Sequence, residues 1–109
     1  MAYFHAWLLA FVFTQMVEVP IYWVGLRVGI LPALGASTIT HPILWFAVFP
    51  YLHLSYIWLV VIGEAFAVLV EAAYFRWIFR RPRALLWAIM ANGASFGAGM
   101  LSRWLFGVP

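Results

Sequence analysis

The acid, base and ligand chemistry open to this sequence rests on three glutamates and three histidines, with no aspartate and no cysteine. Glu64 and Glu71, in GEAFAVLVEA, stand seven residues apart. At about 100° per residue that spacing sets both on nearly one face of a helix, two turns apart. Glu18 lies in EVPIY, His41 in THPIL and Asn92 in ANGASF. Two carboxylates, an imidazole and an amide oxygen suit a divalent metal ion such as zinc, iron or manganese, with carbonyls or water completing the shell. The same groups suit proton transfer, since carboxyl and imidazole chains form proton relays inside membranes. No HExxH, no Glu-x-x-His pair and no Gly-rich phosphate loop accompanies them, so spacing and depth carry the whole signal.

The elements that must position these groups are membrane helices. Of 109 residues, 68% are hydrophobic and 8% charged, and the mean hydropathy is +1.04, which leaves too little polar surface to close a water-soluble globule. The chain reads as an all-α integral membrane protein. Punctuation at 25–32, 53–56 and 80–83 divides it into four lengths of about 20 residues. Helices are expected at 3–26, 31–53, 54–79 and 84–106, forming one compact four-helix bundle over 1–109. The first fifteen residues lack the basic n-region and cleavage site of a signal peptide and are read as part of the first span.

Arg27 follows the first helix, and Arg76, Arg80, Arg81 and Arg83 surround the third connection, while the second, FPYLHLSY, has no arginine. The positive-inside rule makes connections one and three cytoplasmic and puts both termini on the extracytoplasmic side, as in a bacterial inner membrane. Arg103, near the outer end of the fourth helix, snorkels to headgroups or pairs inward. The formal charge of +3 comes from arginines alone, which points to the lipid bilayer as partner and away from nucleic acid. His5 and His53 read as interfacial histidines rather than haem ligands.

Counting from the arginine side at about 1.5 Å per residue puts Glu18 and Asn92 roughly 13 Å deep, His41 about 15 Å and Glu71 about 12 Å. Each helix therefore delivers one strongly polar group to a common level, with Glu64 about 10 Å farther out. Thr14, Gln15, Ser37, Thr38 and Ser95 flank this layer and extend it into an ion or proton pathway. Pro20, Pro42 and Pro50 each tend to free the carbonyl four residues earlier. The competing reading is structural: the four groups hydrogen-bond one another and fix helix register. In GASFGAG, Gly93 and Gly97 form a GxxxG pair suited to close helix packing, within the bundle or with a homo-oligomer or membrane-protein partner.

In length, in four spans and in a first-helix glutamate the chain resembles the small multidrug resistance exporters, in which such a glutamate exchanges protons for a cationic drug within a dimer. It departs from them in placing Glu18 just before Pro20 and in adding His41, Glu64 and Glu71 to later helices, so their mechanism is not carried over. The expected function is binding, and conduction or exchange, of a cation at Glu18, His41, Glu71 and Asn92, without a catalytic site. An accessory subunit of a larger membrane complex and an intramembrane metalloenzyme are the rival readings, the latter needing an open coordination position and a substrate cavity.

Overall fold

Apolar runs almost free of charge fold into four helices long and apolar enough to cross a membrane: Ala2–Leu26, Ile30–Tyr51, Tyr56–Ile78 and Ala84–Phe106. The structure is a computed structural model and describes residues 1–107. Regular α-helix covers α1 (Ala2–Leu26), α2 (Ile30–Pro42), α3 (Tyr56–Ala73) and α4 (Ala84–Phe106), and there is no strand among the described residues. Helix α1 packs between α2 and α4, and α3 packs between the same two, giving a compact bundle with extents of 36 × 28 × 23 Å.

Two of the four expected spans are not uniform α-helix. Pro42 has no N–H to continue the ladder of α2, and the Ile43 N–H bonds Thr40 O instead. Beyond it the helix widens into a π segment over Ile43–Val48 and tightens into a 3-10 turn over Phe49–Tyr51. The second span thus ends at Tyr51 rather than 53, which leaves His53 in the connection before α3. Helix α3 continues into a second π segment, Tyr74–Ile78. Arg27 and Arg80 adopt left-handed backbone, each with φ 57, and so end α1 and the third span.

The interior is built from small and polar residues, and the surface from large apolar ones. Ala33, Ala36, Ala67, Ala72, Ala84, Ala88 and Ala91 are buried alongside Glu18, Ser37, Thr40, Glu71 and Asn92, whereas Leu9, Val24, Leu31, Leu69 and Trp104 are exposed. That inversion is how helices pack where acyl chains rather than water form the solvent, since small side chains let backbones approach closely.

The arginine-rich end is closed. Tyr22, Leu26, Val28, Ala33 and Phe75 form one buried cluster, with the Tyr22 and Phe75 ring centroids 4.4 Å apart. The Arg81 guanidinium ties the third connection to the end of α1, donating to Leu26 O at 2.9 Å, Phe79 O at 2.8 Å and Arg27 O at 3.3 Å. Tyr74 donates its hydroxyl to Pro32 O at 2.9 Å. Gly25 makes room for Trp87: a Cβ there would lie 2.4 Å from the indole.

Gly93 and Gly97 do not serve the bundle. A Cβ on either would meet nothing within 4 Å, so the expectation that this pair packs a neighbouring helix within the bundle is corrected. The buried face of α4 runs through Ala84, Ala88, Ala91, Asn92 and Ser95, and both glycines fall outside that stripe.

Gly25→Ala is expected to lower the thermal unfolding midpoint in detergent, because overpacking of about 1–3 kcal/mol outweighs the roughly 1 kcal/mol of helix propensity gained. Gly93→Ala, with open space at its Cβ, is expected to hold or raise that midpoint.

Candidate functional site

Glu71 is 1% exposed, and each of the other three helices sends it a donor. Tyr22 of α1 donates its hydroxyl to Oε1 at 2.5 Å. Asn92 of α4 donates Nδ2 to the same oxygen at 3.1 Å, and Thr40 of α2 donates Oγ1 to Oε2 at 2.8 Å. The Asn92 amide also donates to Ala88 O at 2.9 Å within its own helix, which fixes its orientation. All of these donors are neutral, so a charge on Glu71 is solvated by dipoles alone.

Glu18, also 1% exposed, is less well supplied. Ser95 donates to Oε2 at 2.6 Å, while Oε1 is buried without a donor of its own. The Glu18 and Glu71 carboxyls share the floor of one cavity and interact electrostatically with each other. Two carboxylates have no hydrogen to share, whereas a carboxylic acid facing a carboxylate has one. Donor count separates the two carboxyls: Glu71 has three side-chain donors and Glu18 has one.

This pair stands at the base of a cavity of about 620 Å³. Glu18, Ser37, Thr40, Glu71, Asn92 and Ser95 form its floor. From there it extends away from the arginine-rich end, between the second half of the second span and α3. Its walls include Leu44, Trp45, Phe49, Leu59 and Val60, and its rim includes Tyr3, Pro50, Tyr56 and Arg103. Tyr56, Val60, Gly63, Glu64, Ala67 and Glu71 all face it, the i, i+3, i+4 spacing of one helical stripe. Glu64 makes no hydrogen bond or ion pair among the described residues. At the rim the Tyr3 hydroxyl donates to Trp45 O at 2.5 Å, strapping α1 to the π segment.

The structure therefore brings Glu18, Glu71 and Asn92 together and sets His41 apart from them. His41 lines the cavity, but its Nε2 faces Thr14 Oγ1 at 3.4 Å, its ring stacks near Trp45 with centroids 5.9 Å apart, and Nδ1 is buried without a partner. Among the described residues no three His, Asp or Glu side chains converge as metal ligands. The four-residue set Glu18, His41, Glu71 and Asn92 is thus not assembled as one shell for zinc, iron or manganese, because one step of about 100° around α2 turns Thr40, not His41, toward Glu71.

Of the expected pathway residues, Thr14, Ser37, Glu64 and Ser95 line the cavity, and Gln15 and Thr38 do not. Gln15 clamps α1 to α2, accepting from Ser37 Oγ at 3.2 Å and donating to Leu34 O at 3.0 Å and Thr38 Oγ1 at 3.2 Å. Thr38 turns its own hydroxyl back to Leu34 O at 2.7 Å. Thr40 is the residue that sequence reasoning missed, although a signal for it exists. Ala33, Ala36, Ser37, Thr40 and Leu44 are the buried positions of this span, and their spacing marks a face that excludes His41. No family model, curated protein or solved structure matches the chain.

Tyr22→Phe and Thr40→Val each delete one donor to Glu71 with little change of shape. Either is expected to lower unfolding stability in detergent by about 1–3 kcal/mol. The double variant is expected to deviate from the sum of the two, since both donors serve one carboxyl, and thermal unfolding of all four forms measures it.

Proposed function

We propose that the chain binds a cation in the cavity and exchanges it for the proton held between Glu18 and Glu71. The observation that carries this reading is a fully buried carboxyl pair, solvated only by neutral donors, at the base of a 620 Å³ cavity. An entering cation supplies the countercharge the pair lacks, and the shared proton leaves as it arrives. Binding and proton occupancy then compete, so affinity falls as pH falls.

The arginine-rich end, with Arg27, Arg76, Arg80, Arg81 and Arg83, is the cytoplasmic end by the positive-inside rule, in a membrane of bacterial inner-membrane type. In that orientation both termini and the cavity rim face outward. Packing of Tyr22, Leu26 and Phe75 below the pair favours exchange over an open conduit. Glu64, about 10 Å farther out on the same face of α3, relays the ion or proton between rim and floor.

A second reading is favoured by Gly93 and Gly97, which stand in open space on α4. There the chain associates with a second copy or with a membrane-protein partner through a smooth strip, as GxxxG faces do.

Purified protein in weak buffer, titrated separately with zinc, manganese and ethylammonium, tests the exchange. At least one of these is expected to release about one proton per chain, as a coupled carboxyl pair requires. Glu71→Gln and Glu18→Gln are expected to weaken that binding by about tenfold or more. Absence of proton release with all three cations, in protein whose thermal unfolding is intact, overturns the proposal.

A further inference from the structure

We infer that the cavity takes a zwitterionic amphiphile, its amine held at Glu64 on the side facing the carboxyl pair and its acid group held at the rim by Arg103. The inference rests on the cation reading above and names the class of cation. Volume is the first ground: about 620 Å³ far exceeds what a bare ion and a few waters of about 30 Å³ each require, and it falls within the roughly 300–1,000 Å³ of small-molecule pockets. The second is the wall. Leu44, Trp45, Phe49, Tyr56 and Leu59 offer an apolar, largely aromatic surface that a hydrated metal ion does not use, and aromatic faces also attract ammonium groups.

The third ground is the order of charges along the cavity. Glu71 and Asn92 share one level, because they are hydrogen-bonded. Glu64 then lies about 10 Å farther out along α3, and Arg103 about 16 Å out along α4, at roughly 1.5 Å of rise per residue. Both Glu64 and Arg103 line the cavity, and neither side chain has a protein partner among the described residues. A simple cation entering at the rim meets a guanidinium first and is repelled by it. A molecule with an acid group behind its amine converts that repulsion into a charge-assisted hydrogen bond, with the amine reaching the Glu64 carboxylate about one turn deeper. An ethanolamine phospholipid headgroup and a free hydrophobic amino acid share this chemistry.

Calorimetric titration of the detergent-purified protein with five probes decides it: phenylalanine, a short-chain phosphatidylethanolamine, phenylethylamine, phenylpropionate and zinc. One of the two zwitterions is expected to bind about tenfold tighter than phenylethylamine, and phenylpropionate is expected not to bind; which zwitterion leads identifies the source. Arg103→Gln is expected to cancel the zwitterion's advantage while leaving phenylethylamine binding unchanged or stronger. Glu64→Gln is expected to weaken both. Both positions are outside the buried hydrogen-bond cluster, and equal thermal unfolding midpoints confirm that the variants fold. Equal binding of phenylethylamine and both zwitterions, or indifference of the zwitterion to Arg103→Gln, overturns the inference. Binding of zinc alone overturns it while leaving cation exchange standing, whereas no proton release with any amine, with zinc or with manganese removes the underlying reading as well.

Discussion

A buried carboxylate without a countercharge is the constraint on which this bundle depends. Placing an acidic residue at the centre of a bilayer costs about 2.5–3.5 kcal/mol on insertion scales, and each hydrogen bond to a charged group returns roughly 1.5–3 kcal/mol. One donor does not reliably offset the cost, whereas three do. Glu71 receives its three from α1, α2 and α4, so the side chain of one helix can be tolerated only when the other three are in register. Association of these helices draws little on the hydrophobic effect if lipid surrounds them, which makes this polar cluster the natural source of specificity.

The same requirement explains why the bundle is packed at one end and hollow toward the other. Below Glu71 the interior is filled by Tyr22 and Phe75 against a row of alanines, and Arg81 closes the backbone ends. Above it, Pro42 breaks the regular ladder of α2 and the span continues as the π segment Ile43–Val48. The two spans meet again where the Phe49 ring approaches Gly63, at a place where a Cβ would lie 2.8 Å from it. Widened turns of this kind recur at functional sites because they redirect side chains without ending a helix. Here Trp45, within the π segment, and Phe49, in the 3-10 turn that follows it, form part of the cavity wall.

Level along the bundle was legible in the sequence and azimuth only partly so. Counting at a fixed rise placed Glu18, Glu71 and Asn92 at one level, and level depends on little besides helix ends. Which way a side chain points depends on the buried stripe of its helix. On α3, where Glu64 and Glu71 are separated by two whole turns, the stripe could be read directly. On α2, His41 is the residue with ligand chemistry, while the small-residue spacing of Ala33, Ala36, Ser37 and Thr40 marks the neighbouring face. The Gly93 and Gly97 pair misled for a related reason: its spacing matches a packing motif, but the buried stripe of α4 passes through Ala91, Asn92 and Ser95. The π segment Tyr74–Ile78 contains neither proline nor glycine, and nothing in its sequence announces the wider turn.

Whether the polar layer is glue or site turns on the groups that glue does not need. A register device requires Glu71, Tyr22, Thr40 and Asn92, and it works best in a packed interior, because every void forfeits contacts. It has no use for Glu18 Oε1 and His41 Nδ1, buried without donor or acceptor of their own. Nor does it need Glu64, a third carboxyl facing the same space with no partner among the described residues. Replacing a half-satisfied polar group by an apolar one of similar shape is commonly neutral or stabilising. A bundle held together by Glu71 alone would therefore gain from apolar residues at 18, 41 and 64 and from a filled cavity. Retaining all four costs stability, a cost that a register device leaves unexplained and that the cation binding proposed above would explain.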